Sequence, residues 1–252
     1  MDLQLRGKRV LVTGGTKGIG GAIVDLFVEE GAEVAFCARD RDAVEAKRTA
    51  TGAAGRVLDV ADAEALSAWV RDVGEGGGID IVVANVSALA SGADDKDWQT
   101  SFDVDLMHTV RMMRTAMPYL AASAQACEGA ASVIAIASAA AREITFPDNS
   151  YGVLKAAITH YMSGLARHLA VQGVRANVVS PGTVYEPGGF WSLVEGRDQE
   201  MFAAALALNP RGRMGRPEEI AYAVAMLASP RASWISGTTV LADGALTRGV
   251  QF

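Results

Sequence analysis

Five runs in the chain are apolar on both faces: VLV (10–12), VAF (34–36), IVVA (81–84), VIAI (133–136) and NVV (177–179). A strand with one wet side alternates apolar and polar residues. A strand without alternation must be covered on both sides. Each run is followed by a turn and then by a stretch with helical apolar spacing, such as GGAIVDLFVEEG (20–31) or RPEEIAYAVAMLASP (216–230). Strand and helix alternate in this way from end to end. That order predicts an α/β fold: a doubly wound parallel sheet with helices on both faces. GRVLDV (55–60) and TTVLADGA (238–245) raise the strand count to seven.

Local signals sharpen the helix ends. Gly31 is placed to close the first helix, Asp62 to cap the third, and Pro217 to open the last. EGGG (75–78) reads as a loop. DKDWQTSFDVDLMHTVRMMRTAMPYLAAS (95–123) reads as one long helix, and the run from Tyr151 as another that ends at Gly173.

At 252 residues and 50% hydrophobic content the chain can bury a full core, and residues 1–252 read as one domain. The formal charge of −6 argues against a nucleic-acid or anionic-membrane surface, which needs a basic patch. Cys37 and Cys127 lie among apolar or small residues without metal or redox spacing, and read as reduced packing residues. His108, His160 and His168 show no metal-ligand clustering. The first residues run almost directly into a strand, and no stretch is long and apolar enough to span a bilayer. The expected location is cytoplasmic.

In a doubly wound sheet, ligands bind at the carboxyl ends of the strands. The first strand ends in TGGTKGIG (13–20). There Gly14, Gly18 and Gly20 allow a tight turn and a close approach of backbone to a pyrophosphate at a helix N-terminus. Farther on, Tyr151 and Lys155 stand four residues apart in YGVLKAAI, so a helix puts a phenol and an ammonium on one face. A phenol is a poor acid or base near neutral pH, and a neighbouring cation favours its ionised form.

TGGTKGIG, then Ser138 at the end of the fifth strand, then YGVLK thirteen residues after it, resemble the short-chain dehydrogenase/reductase family in its form of roughly 250 residues. DV (59–60), VSPG (179–182) and the ISGTTVLADGA ending fit as well. The resemblance covers essentially the whole chain. It implies a Rossmann-like fold and hydride transfer between a nicotinamide cofactor and a carbonyl or secondary alcohol substrate. A 3-oxoacyl-thioester reductase is one possible subtype, a ketone or steroid-like dehydrogenase another. The resemblance makes Tyr151 the acid/base and gives Lys155 the tasks of tuning it and gripping the nicotinamide ribose. Ser138 would hydrogen-bond the substrate oxygen, and Asp105 would stand in the proton relay. Cofactor contacts would come from Gly14, Thr16, Lys17, Gly18, Ile19, Gly20, Arg39, Asp59, Val60, Asn85, Tyr151, Lys155, Pro181, Gly182 and Val184, with no metal. An acid at the end of the second strand would favour NAD(H) by binding the ribose 2′-hydroxyl. Ala38 and Arg39 stand there instead, and Lys17 adds a cation, so NADP(H) is expected, with NAD(H) possible. Asp40 is the acid that could pair with either cation.

Three positions depart from the family pattern. Val86 and Ser87 follow Asn85 where small residues are usual. Asp105 replaces an Asn. Glu186 stands where a Thr is common, although Thr183 is nearby. Residues 185–213 read as a substrate lid, with Gly188 and Gly189 as hinges and Phe190 and Trp191 as an apolar wall. Arg142 and Glu143 read as solvated loop charges. The apolar surplus of the long helix and of the helix from Tyr151, together with family habit, predicts a homotetramer, with a dimer second. The departures leave one alternative, a cofactor-binding sensor or scaffold of the same fold with little turnover.

Overall fold

Alternate residues of strand β1 (Arg9–Thr13) serve two different cores. Leu11 joins a cluster with Leu66, Trp69, Met112, Met113, Ile158 and Met162. Val10 and Val12 join another with Ile23, Val24, Phe27, Ile220 and Val224. This is the two-sided burial that the unalternating runs require.

The structure is a computed structural model that describes residues 2–90, 92–144 and 148–249. Its strands are β1, β2 (Glu33–Ala38), β3 (Ala54–Val57), β4 (Ile81–Ala84), β5 (Ser132–Ile136), β6 (Arg175–Pro181) and β7 (Thr239–Ala242). They form one sheet in the order β3-β2-β1-β4-β5-β6-β7, with all neighbours parallel. Helices α1 (Gly18–Glu29) and α9 (Pro217–Ala228) cover one face. On the other lie α3 (Ala63–Gly77), α5 (His108–Ala126) and α6 (Ser150–Leu169). Helix α2 (Arg41–Thr51) packs its Val44 on the α1 side. The chain winds one way from β1 to β3 and the other way from β4 onward. The switch point therefore lies between β1 and β4, and it is at the carboxyl ends of such a pair that sheets of this kind bind ligands.

Three expectations need correction. Helix α3 continues through Glu75 to Gly77 and is capped by Gly78 at φ 92°, so EGGG is not a free loop. Gly74 lets it lie against α5, because a Cβ there would meet the Tyr119 ring at 2.4 Å. The long helix is three pieces: α4 (Asp95–Ser101), one wide π-helical turn at Phe102–Met107, and α5. In that turn the His108 ring bonds the Val104 carbonyl at 2.6 Å and the Thr109 hydroxyl bonds that of Asp105 at 3.0 Å. Cys127 is exposed rather than packed, whereas Cys37 is buried; both are free.

Arg175 anchors the far end of β6. Its buried guanidinium donates to the carbonyls of Leu227 (2.7 Å), Ala228 (3.1 Å) and Ser229 (3.1 Å), which collects the C-terminal carbonyls of α9. Burial pushes its pKa down to about 10. Among the described residues no helix is long and apolar enough to cross a membrane.

Candidate active site

At the switch point the glycine loop and the end of β4 interlock. The backbone N–H of Asn85 donates to Thr13 Oγ1 at 3.0 Å, and its side-chain amide donates to the Thr13 carbonyl at 3.0 Å. Gly20 sits beneath this pair. A Cβ there would lie 2.1 Å from the Gly14 carbonyl oxygen and 2.4 Å from Asn85 Nδ2, so only glycine fits. Gly14, at φ 71°, lies against Val86, whose Cγ2 would be 2.9 Å from an added Cβ. The Val86 departure thus packs against the glycine turn. Thr16 and Ile19 are half-buried on this loop, and Ile19 packs on the α1 side core.

Helix α1 begins at Gly18 with no side-chain cap and no acid in its first turn. Its first amide is nevertheless bonded: the Gly18 N–H donates to Glu186 Oε1 at 2.5 Å. The loop end of α1 therefore holds an anionic oxygen in this structure, as a helix N-terminus with free amides should. These residues fit a dinucleotide pyrophosphate: bare glycine backbone and a positive helix end without a side-chain cap of its own.

Lys17 and Arg39 are exposed, and among the described residues neither makes an ion pair. Asp40 is occupied as the N-cap of α2, accepting from the Ala43 N–H at 3.0 Å. Asp59 is exposed and accepts from the Ala61 N–H at 3.0 Å, while Asp62 is the true cap of α3. The Val60 side chain is buried in the core. Pro181 ends β6, and Gly182 touches Asp243, where a Cβ would come within 3.0 Å. Val184 bridges to Gly215. The Thr183 hydroxyl donates its proton to Asn209 Oδ1 at 3.0 Å, which leaves it only as an acceptor toward a ligand.

The second group stands at the end of β5. Ser138 is extended and half-buried, and its Oγ accepts from the Ala140 N–H at 3.2 Å, which leaves its own proton to donate. Helix α6 abuts this loop. A Cβ on Gly152 would lie 2.8 Å from the Ala140 carbonyl oxygen, so glycine beside Tyr151 brings the helix start onto the Ser138 turn. The hydroxyls of Ser150 and Ser101 lie 2.9 Å apart and within 3.2 Å of the Ala90 carbonyl oxygen, where one donates to the carbonyl and the other to its fellow hydroxyl or to the same carbonyl, which fixes the first turn of α6. Lys155 is buried. Its Nζ donates to the Ile136 carbonyl at 3.1 Å, lies 3.1 Å from Asp105 Oδ1, and stands 5.7 Å from the centre of the Tyr151 ring. The other Asp105 oxygen accepts from the Ala88 N–H at 3.2 Å.

His108 is a member of this site that the sequence reading passed over as unclustered. Its ring contacts Thr13 Oγ1 at 3.2 Å and links the π-turn to the glycine loop. Burial drives its pKa down to about 4, against help from the Val104 carbonyl, so it is neutral at pH 7. Glu143 is not a free loop charge, since its Oε1 accepts from the Arg248 N–H at 3.1 Å. Among the described residues no group of acidic, His or Cys side chains is arranged to hold a metal.

A seven-stranded parallel sheet of this order, wound both ways from a glycine-lined helix start, is a Rossmann-like fold. Residues 14–247 match the family described as enoyl-(acyl carrier protein) reductase. The chain is 37% identical over 258 residues to the isoepoxydon dehydrogenase patN of Penicillium expansum, covering 98% of both chains. It is 31% identical to the 3-oxoacyl-[acyl-carrier-protein] reductase FabG of Vibrio harveyi, covering 97% of this chain and 99% of that one. The crystal structure of gox2181 matches with a TM-score of 0.86 at 29% identity, over 97% of each chain. The chain belongs to the short-chain dehydrogenase/reductase family. Its relatives support NAD(P)-dependent redox chemistry on carbonyl and alcohol groups.

Proposed function

We propose that this protein interconverts a carbonyl and a secondary alcohol with NADP(H), using Tyr151 as acid/base, Ser138 as the donor to the substrate oxygen, and Lys155 as the charge behind Tyr151. The observation that carries the reading is the buried Lys155, held between Asp105 and the Ile136 carbonyl with its ammonium 5.7 Å from the Tyr151 ring. A buried cation is costly even when paired, and one kept beside a phenol at the end of a sheet marks a functional site.

The nicotinamide cofactor, when bound, supplies or accepts the hydride. Tyr151 gives its phenolic proton to the carbonyl oxygen in reduction and takes it back from the alcohol in oxidation. Ser138 donates a hydrogen bond to the same oxygen and steadies its developing charge. Lys155 supports the negative charge left on the Tyr151 oxygen. Asp105 orients Lys155 and offsets part of its charge. The glycine loop, with Gly14, Gly18 and Gly20, would hold the pyrophosphate, and Lys17 with Arg39 would meet a 2′-phosphate. That these two exposed cations make no ion pair among the described residues supports the choice of NADP(H) over NAD(H).

The substrate is a small carbonyl compound or alcohol of mixed polarity. Phe190 and Trp191, packed edge to face at 5.1 Å, offer the apolar wall. Val153 on α6 and Phe102 in the π-turn are exposed, which supports pairing of subunits across these helices in a homotetramer.

The test has two steps. Titration with NADPH and NADH, followed by cofactor fluorescence, should give tighter NADPH binding. Tyr151→Phe should then lose turnover by roughly 100-fold or more while keeping cofactor affinity. An unchanged rate in that variant would remove Tyr151 from the chemistry. Tight NADPH binding without turnover on any carbonyl would favour the sensor reading.

A further inference from the structure

We infer that Glu186 is a gate on the cofactor site: its carboxylate occupies the amide that a dinucleotide pyrophosphate needs, so the lid and the cofactor compete for the start of α1. The inference rests on the dinucleotide reading of the glycine loop and deepens it.

The geometry is specific. Glu186 Oε1 accepts from the Gly18 N–H at 2.5 Å, and Oε2 lies 2.7 Å from where a Gly18 Cβ would stand. The carboxylate thus covers Gly18, a positive-φ glycine of the loop (φ 59°), while Gly14, the other one (φ 71°), lies against Val86. It serves as the cap that α1 lacks, since Lys17 at the N-cap makes no side-chain bond and the first turn has no acid. A carboxylate and a pyrophosphate are both anions that seek the same N–H groups. They cannot share one amide, and they repel at that range.

Glu186 also tethers the chain just past its last backbone bridge, the Tyr185 N–H to the Gly215 carbonyl at 2.9 Å. It lies just before α7 (Phe190–Arg197), of which no residue is buried, with Phe190 and Leu193 exposed. The aromatic and polar contacts of this region are largely internal. Tyr185 OH donates to Glu195 Oε2 at 2.6 Å, and the Tyr185 ring meets Phe202 edge-on at 6.1 Å. The Gly189 N–H closes a turn onto the Glu186 carbonyl at 3.0 Å. Gly188, at φ 74°, stands where this turn joins α7 and can absorb a swing. Release of the carboxylate from Gly18 therefore frees the entrance to α7 along with the amide. Cofactor entry and lid movement become one event, and binding carries the cost of breaking a charge-assisted bond.

Glu186→Ala and Glu186→Gln test the gate by affinity rather than turnover. Ala removes bond and charge; Gln keeps an acceptor but removes the charge. The expected result is NADPH binding about tenfold tighter for Ala and severalfold tighter for Gln, read by fluorescence titration. In cofactor-free protein, hydrogen exchange across residues 185–198 should quicken in the Ala variant. Equal or weaker NADPH binding by the Ala variant would make Glu186 neutral or a cofactor ligand, and would overturn the gate while leaving the dinucleotide reading intact. Failure of wild type and both variants to bind NADPH or NADH would overturn the dinucleotide reading itself, and the gate with it.

Discussion

The ammonium of Lys155 lies 3.1 Å from Asp105 Oδ1, with side chains 2% and 1% exposed. Two opposite charges are thus removed from water together, on α6 and on the π-turn, beside the ring of Tyr151. Such a pair adds little net stability, but losing one member leaves a buried charge uncompensated. Asp105→Ala should destabilise the fold by about 3–5 kcal/mol in chemical denaturation. Asp105→Asn keeps an acceptor for the Ala88 N–H and a dipole toward Lys155 but not the compensating charge, and should destabilise by less than the Ala variant. It also deletes a negative charge near Tyr151. The pH profile of kcat/KM should then shift toward lower pH, because the phenolate is better supported. A profile that does not move would confine Asp105 to a structural role.

Arg39 and Lys17 face solvent without ion pairs among the described residues, and Asp40, the acid that might have neutralised them, is spent as the cap of α2. Arg39→Asp should weaken NADPH binding by about tenfold or more and leave NADH binding equal or improved. The ratio of the two dissociation constants is the readout. An unchanged ratio would remove Arg39 from cofactor choice.

Much of this arrangement was legible before any coordinates. Unalternating strands state their own burial, and the strict order of strand and helix states a parallel sheet wound both ways. The π-turn was not legible, because 3.6-residue periodicity cannot say where one extra residue enters a continuous helix. It depends on the side chains of His108 and Thr109 bonding the carbonyls of Val104 and Asp105. The run from Glu75 to Gly77 looked like a loop because its propensity is poor. Packing of Gly74 on Tyr119 overrides that propensity. Glu186 stood out as a departure, but its partner Gly18 is 168 residues away, and no local pattern encodes such a contact.

Gly152 lies where α6 meets the turn after Ser138. In Gly152→Ala the new methyl would meet the Ala140 carbonyl oxygen, which lies 2.8 Å from the Cβ position, so helix or turn must shift. Overpacking of this kind costs about 1–3 kcal/mol. The shift separates Ser138 from Tyr151 and leaves the glycine loop untouched. The expected outcome is a fall in kcat of roughly 100-fold with the NADPH dissociation constant unchanged. Equal loss of cofactor affinity would show that the two halves of the site are mechanically coupled.

His108 gives the fold an acid-sensitive joint. Its Nδ1 faces the Val104 carbonyl, an acceptor only, so Nδ1 carries the proton and Nε2 accepts from the Thr13 hydroxyl. That hydroxyl in turn accepts the Asn85 N–H. Protonation of Nε2 puts a second donor against Thr13 and a charge near Lys155 in a buried site. Burial, and then the Lys155 charge, lower the folded-state pKa to about 4 from 6.5. The unfolded chain therefore binds the proton first as pH falls, and stability is full above about pH 6.5 and lost progressively toward pH 4. The contribution is about 3 kcal/mol, at about 1.4 kcal/mol per pKa unit. Denaturant midpoints measured from pH 7 to pH 4 should fall steeply for wild type. His108→Gln cannot titrate in that window and should show a shallower slope, though lower stability at pH 7. Parallel slopes for the two proteins would assign the acid sensitivity to carboxylates instead of to His108.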